Sequence, residues 1–319
     1  MLHLFYNFTY NIFKVNDLKA FILSKKSGFF KKPISIYNFF VIAKAYGKIN
    51  LTLEILGKSI NGYHEIKSVF QRVSIYDEIE LRKSYDKEIK FNINIDSSDT
   101  TVHKAIKLFF QISMLNEKVS VFVKKNIPVG SGLGGGSSDA ATTLRLLNVL
   151  FGSPLIDNDL FEIAKEIGSD VPFFLNGSTA IVEGRGDVVH PVQSLKGIYI
   201  LLVFPEFRVS TKRAYEIFDE FGNFSQGLHT KELISFLEKE YSISELNNRL
   251  YNDFGVLFRD KDYRFINLFK EIEHITGQKF HLTGSGSVVF SLFERKSIAL
   301  EISKKLSRAG YKNIIIETF

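Results

Sequence analysis

Apolar and polar residues alternate from Ala43 to Ile55. Ala45, Gly47, Ile49, Leu51, Leu53 and Ile55 fall on one parity, and Tyr46, Lys48, Asn50, Thr52 and Glu54 on the other. A period of two predicts a half-buried β-strand. Gly57 to Gly62 reads as a turn, with Asn61-Gly62 as its hairpin signal. Strands are predicted over 69–81, 89–95 and 119–123, with a helix over 102–115 between them, and Pro128 closes the last strand segment. Helices follow over 140–151 and 160–167, the second stopping at Gly168, where a C′ glycine belongs. Residues 178–189 read as a hairpin around Glu183-Gly184-Arg185-Gly186-Asp187.

A second stretch opens with a strand at 198–204. Helices are predicted near 211–221, 230–239, 244–258 and 262–276, then strand, glycine turn and strand over 280–290, a helix over 297–309 and a last strand over 313–318. Strands and helices mix without strict alternation, which favours an α+β fold. Residues 1–40 differ: they are rich in Phe, Tyr and Lys, have no clean period, and lack the basic start and small-residue cleavage site of a secretory signal. The expected organisation is an extension over 1–40, a first domain over 41–192 and a second over 193–319, since 319 residues suit about two domains.

Composition narrows the chemistry. With 45% hydrophobic and 24% charged residues the chain is an ordinary globular sequence. It has no cysteine, hence no disulfide, thiolate zinc site or cysteine nucleophile. The seven histidines are scattered, with no HExxH. No apolar run is long enough to span a membrane. The net charge is +6, without an Arg-rich run, so no nucleic-acid partner is expected, while an anionic ligand is compatible.

Pro128, Val129, Gly130, Ser131, Gly132, Leu133, Gly134, Gly135, Gly136, Ser137 and Ser138 then stand out, with five glycines between positions 130 and 136. Such density costs backbone entropy and suits close approach of a ligand to successive N–H groups. A helix beginning near Ser137 directs its free N–H groups and positive end to the same place, making a nest for a phosphate chain. A Walker A loop is excluded, because no lysine lies between Pro128 and Thr143. The run also contains GxGxxG, with Asp157 about 20 residues on, so a dinucleotide fold is a rival. That fold needs a parallel βαβ start, whereas this loop follows paired strands.

Pro128 to Ala141 resembles the phosphate loop of the GHMP kinases. Ala45-Tyr46-Gly47-Lys48-Ile49-Asn50-Leu51, Asn61-Gly62-Tyr63-His64, Gly168-Ser169-Asp170-Val171-Pro172, Glu183 to Asp187 and Thr283-Gly284-Ser285-Gly286 resemble further motifs of the family, in its order. The likeness covers roughly 43–319 and departs where Gly47-Lys48 stands for the usual Ala-Lys. It implies a two-domain GHMP kinase fold with the active site in the cleft between domains. It also implies ATP and Mg²⁺, the latter with Ser137 or Ser138 as candidate ligand. By the same resemblance Asp170 takes the acceptor's proton and Lys48 stabilises developing charge, Asn50 being aimed at the same centre.

The Gly-Leu-Gly-Gly-Gly-Ser-Ser form resembles the members that phosphorylate an alcohol carrying a cytidine diphosphate group, on the non-mevalonate route to isoprenoids. In those, Tyr63 and His64 would contact cytosine, Tyr215 would cover its other face, and Thr283 and Gly284 would lie near the phosphates or substrate. A bacterial cytoplasm is the implied compartment, with a plastid as the alternative. Other readings are a relative acting on homoserine or mevalonate, a silent regulatory relative, and a dehydrogenase.

Overall fold

The computed structural model describes residues 8–15, 18–25, 40–60 and 62–319. A hairpin of β1 (Phe8–Val15) and β2 (Leu18–Lys25) comes first, and β2 pairs antiparallel with the start of β3 (Phe40–Lys58), Phe21 opposite Ile42. Beyond β3, Ser59 N donates to Tyr63 O at 2.8 Å, and β4 runs from His64 to Lys83. Asn61, half of the predicted turn pair, lies outside the described residues. Both long strands run through two compact units, one built from residues up to Ala45 with 76–126 and 136–171, the other from 46–75, 127–135 and 172–319.

In the first unit, β5 (Glu88–Phe91) is shorter than predicted and pairs parallel with β6 (Val119–Lys124), which pairs antiparallel with the second half of β4. Helix α1 (Thr101–Ser113) buries Val102, Ala105, Ile106 and Phe109, at spacings of one face. Helix α2 (Gly135–Leu150) begins five residues before the run of good helix formers at Ala140 and two before the start expected near Ser137. Glycine and serine are weak helix formers, so the first turn is hidden from propensity. Helix α3 (Asp157–Ile167) ends at Gly168, whose φ of 173° is extended rather than left-handed. Gly168 therefore does not form the C′ glycine cap expected of it.

The second unit resumes at Pro172, within α4 (Val171–Asn176), which is unmarked in the sequence pattern, and runs to the hairpin of β7 (Thr179–Gly184) and β8 (Val188–Pro191), with β7 on the first half of β4. Then come β9 (Tyr199–Phe204), α5 (Thr211–Phe221), α6 (Leu228–Leu237) and α7 (Ile243–Arg249). They are followed by β10 (Tyr251–Asn252), α8 (Asp253–Lys261), α9 (Tyr263–Thr276), β11 (His281–Leu282), β12 (Val289–Phe293), α10 (Lys296–Arg308) and β13 (Lys312–Glu317). One sheet of this unit has the order β11-β12-β9-β13.

The helix predicted over 244–258 is two helices. Tyr251 and Asn252 leave the helical path and pair parallel with Thr52 and Leu53 of β3. Asn252 also caps α8, its Oδ1 accepting from Gly255 N at 3.2 Å. Apolar residues continue through this break, so periodicity could not reveal it.

Strand β3 is not half-buried either. Among its polar residues Lys48, Asn50, Thr52 and Glu54 are all at most 3% exposed, as deeply placed as Ile49 to Ile55 on the opposite face. Each is hydrogen-bonded, as burial of polar groups requires. Thr52 Oγ1 meets Thr230 Oγ1 at 2.8 Å, and Glu54 accepts from His229 N and Thr230 N at the start of α6.

Candidate active site

Lys48 and Asn50 share a face of β3, as residues two apart must. Lys48 Nζ donates to Asn50 Oδ1 at 2.6 Å and sits over the Phe70 ring, 4.4 Å from its centroid. Asn50 Oδ1 also accepts from Gly284 N at 2.8 Å, its Nδ2 donates to Ser68 Oγ at 3.0 Å, and its backbone N–H donates to Thr283 Oγ1 at 3.2 Å. Ser68 Oγ donates in turn to the Thr52 carbonyl. One asparagine thus joins the strand lysine to the 283–286 turn. The sequence motif singles out Lys48, Asn50, Thr283 and Gly284, and the structure brings them together. It adds Ser68 and Asn252, whose Nδ2 donates to the carbonyls of Leu282 and Gly284 at 3.0 Å each. Neither residue carries a local sequence signal, because their partners are distant in the chain.

The glycine loop lies against the same group. Lys48 N donates to Leu133 O at 2.9 Å. Gly134 has φ +70°, and a β-carbon there would press on the Phe174 ring at 2.9 Å and on Lys48 Cγ at 3.1 Å. Gly132, with φ +78°, faces the Thr283 carbonyl where a side chain would have to go. The two glycine turns interlock through backbone, with Thr283 Oγ1 3.4 Å from Gly132 O. Pro128, Val129, Gly130 and Ser131 lead into this packing, and Val129 is 48% exposed.

Gly135, Gly136, Ser137 and Ser138 form the first turn of α2, with Ser138 buried. Thr101 Oγ1 donates to Gly136 O at 2.7 Å, joining α1 to that turn. Asp139 follows, buried, and Lys125 donates to it at 2.7 Å and also to Asp77. Asn126 N completes the cluster by donating to Asp77 Oδ1. Burial and the second carboxylate push the Asp139 carboxyl up to about 7, against the pull of Lys125. Among the described residues no group of three His, Asp or Glu side chains could hold a metal ion. The available donors at this turn are hydroxyls, which suits Mg²⁺ borne by a nucleotide rather than a dedicated protein cage. Asp170, half-buried, lies in the turn between α3 and α4, in the first unit.

Tyr63 is 55% exposed, with the Arg185 guanidinium 5.8 Å from its ring centroid. The His64 side chain is largely buried. Its ring stacks on Tyr215 with centroids 4.4 Å apart and planes 18° from parallel. Tyr215 packs edge-on against Phe254 at 5.0 Å. One helical turn further along α5, Asp219 Oδ1 lies 2.6 Å from His64 Nε2, while its Oδ2 accepts from Lys58 Nζ at 2.5 Å. Asp219 was not singled out from sequence, although its i+4 spacing from Tyr215 puts both on one helix face.

Residues 100–178 match the family described as GHMP kinases N terminal domain. The chain is 38% identical over 285 residues to 4-diphosphocytidyl-2-C-methyl-D-erythritol kinase of Thermodesulfovibrio yellowstonii, covering 86% of this chain and 96% of that one. It is 38% identical over 256 residues to the protein of the same name from Thermotoga maritima, covering 78% and 90%. A crystal structure of 4-(cytidine 5'-diphospho)-2C-methyl-D-erythritol kinase superposes with a TM-score of 0.68 at 26% identity, covering 86% and 98%. The homoserine kinase of Cytophaga hutchinsonii shares the fold, with a TM-score of 0.67 at 16% identity, covering 92% and 97%. With these relatives matched over nearly their whole length, the chain belongs to the 4-diphosphocytidyl-2-C-methyl-D-erythritol kinase family of the GHMP kinases.

Proposed function

We propose that the protein transfers the γ-phosphoryl group of ATP to the 2-hydroxyl of 4-diphosphocytidyl-2-C-methyl-D-erythritol, on the non-mevalonate route to isopentenyl diphosphate. The observation that carries this is the fixed position of Lys48: its ammonium is bound to Asn50 and its stem lies under Gly134 of the phosphate loop. A cation held beside a backbone nest suits phosphoryl transfer, which needs positioning and charge neutralisation more than covalent chemistry.

The glycine loop and the first turn of α2 hold the ATP phosphates by backbone N–H groups. Asp170 accepts the proton of the acceptor hydroxyl as its oxygen attacks the γ-phosphorus. The bond from that phosphorus to the β,γ-bridging oxygen breaks, and ADP leaves with the electron pair. Lys48 balances charge on the transferring group. Ser137 or Ser138 would be the protein contact of Mg²⁺, which would supply charge neutralisation at the phosphate oxygens. Tyr63, His64 and Tyr215 hold the cytosine of the acceptor, and Thr283 and Gly284 border the reacting end. The relatives support a bacterial cytoplasm as the working compartment.

The test is ATP consumption by purified protein against a panel of the cytidyl alcohol, homoserine and mevalonate. Turnover of the cytidyl alcohol alone supports the assignment. Preference for homoserine or mevalonate refutes it.

A further inference from the structure

His64 is held from two sides by one helix. Tyr215 stacks on the ring, and Asp219, four residues along α5, receives its Nε2. No hydrogen bond to His64 Nδ1 is formed among the described residues. We propose that Asp219 is a positioning residue that fixes the His64 tautomer and thereby makes the site select an amino-pyrimidine over an oxo-pyrimidine. This rests on the cytidyl substrate assigned above.

The chemistry runs through the proton inventory of the pair. An ionised carboxylate only accepts hydrogen bonds, so the 2.6 Å contact requires a hydrogen on Nε2. Lys58 sits 2.5 Å from the other carboxylate oxygen and already balances its charge. The ring supplies the Nε2 hydrogen of the contact with Asp219 Oδ1. The same two neighbours hold the Asp219 carboxyl below its usual range, so it stays ionised at neutral pH. A neutral imidazole with hydrogen on Nε2 has a lone pair on Nδ1. That lone pair accepts from an exocyclic amine, which cytosine carries at C4. Uracil carries a carbonyl oxygen there, and the two lone pairs would oppose each other. A polar mismatch against the largely buried His64 ring is rejected far more strongly than a lost apolar contact.

Asp219→Asn retains the shape but inverts the instruction. The asparagine amide can donate to Nε2, which moves the ring hydrogen to Nδ1 and turns the acceptor into a donor. The experiment uses the full-length protein, ATP, and the diphosphocytidyl and diphosphouridyl forms of the same alcohol. The kcat/KM ratio of cytidyl to uridyl substrate should fall at least about tenfold in Asp219→Asn, carried by KM, with kcat on the cytidyl form within about threefold of wild type. A Lys58→Arg variant, which keeps both the carboxylate and the cation beside it, should retain the wild-type ratio. Nitrogen-15 shifts of His64 should report hydrogen on Nε2 in the wild type and on Nδ1 in Asp219→Asn, independently of turnover.

A merely structural Asp219 would depress both substrates together and leave the ratio unchanged, which overturns the proposal. Hydrogen on Nδ1 in the wild type also overturns it. If the wild type does not turn over the cytidyl alcohol at all, the substrate assignment fails first and takes this inference with it. If it does so with an unaltered ratio in Asp219→Asn, this inference fails alone.

Discussion

The carbonyl oxygen of Thr283 occupies the place that a β-carbon on residue 132 would need, closer than two such atoms can approach. Gly132 also has φ +78°, which side-chain-bearing residues rarely adopt. Gly132→Ala should therefore force the 283–286 turn away from the phosphate loop and weaken ATP binding by tenfold or more. Gly130→Ala is the control: its φ is +69° but nothing lies within 4 Å, so only about 1–2 kcal/mol of backbone strain is expected. Calorimetric ATP titration and thermal melts of both variants check this. Equal effects would mean that the interlock is unimportant.

Asp170→Asn should fold, bind ATP and lose turnover by ~10²–10⁴, the worth of a general base. Single-turnover kinetics at saturating substrates measure it. Wild-type turnover would remove Asp170 from the proton transfer.

Asn50→Ala removes the acceptor for both Lys48 Nζ and Gly284 N. Two buried donors lose this acceptor, which costs up to about 1–3 kcal/mol each in stability. Turnover should fall as well, because the lysine loses its orientation. Ser68→Ala removes the acceptor of the Asn50 amide and a donor to the Thr52 carbonyl but leaves Lys48 Nζ and Gly284 N on Asn50, so it should lie between Asn50→Ala and wild type in both denaturation midpoint and kcat. A Ser68→Ala effect as large as that of Asn50→Ala would contradict the order of the chain of contacts.

His281 gives a pH signature. Burial first, then the nearby Lys279 and Arg259 charges, push its imidazole down to about 3. The unfolded chain takes up the proton near pH 6.5, so between that pH and about 3 the unfolded state binds more protons. Stability is therefore present above pH 6.5 and declines as pH falls, by up to about 1.4 kcal/mol per unit. In urea melts at pH 7 and 4.5, His281→Gln should lose about 2–3 kcal/mol less on acidification than the wild type does. Parallel losses in the two proteins would show that His281 does not titrate this way.

The motif-bearing turns and most elements were legible because their signals are local. Glycine spacing marked the loop at 130–136, and alternation marked β3. What alternation could not say is that the polar side of β3 is also covered. Its cover comes from Ser68, Thr230 and Thr283, brought there by topology rather than by spacing. The break at Tyr251-Asn252 was hidden for the same reason: its benefit is pairing with Thr52 and Leu53, far back in the chain. Asp219 was within reach of reasoning, since it shares a helix face with Tyr215, but only His64, from another strand, gives that face its meaning.

The Lys125–Asp77–Asp139 cluster ties together the residues just before and just after the glycine loop. With its stems held there, and Leu133 fixed midway by the Lys48 amide, a sequence with the composition of a flexible linker has few conformations left to lose. Its ordering entropy is then met during folding rather than at each encounter with nucleotide. Loosening a stem should accordingly appear as slower capture and weaker affinity for ATP even where no atom that touches the nucleotide has changed.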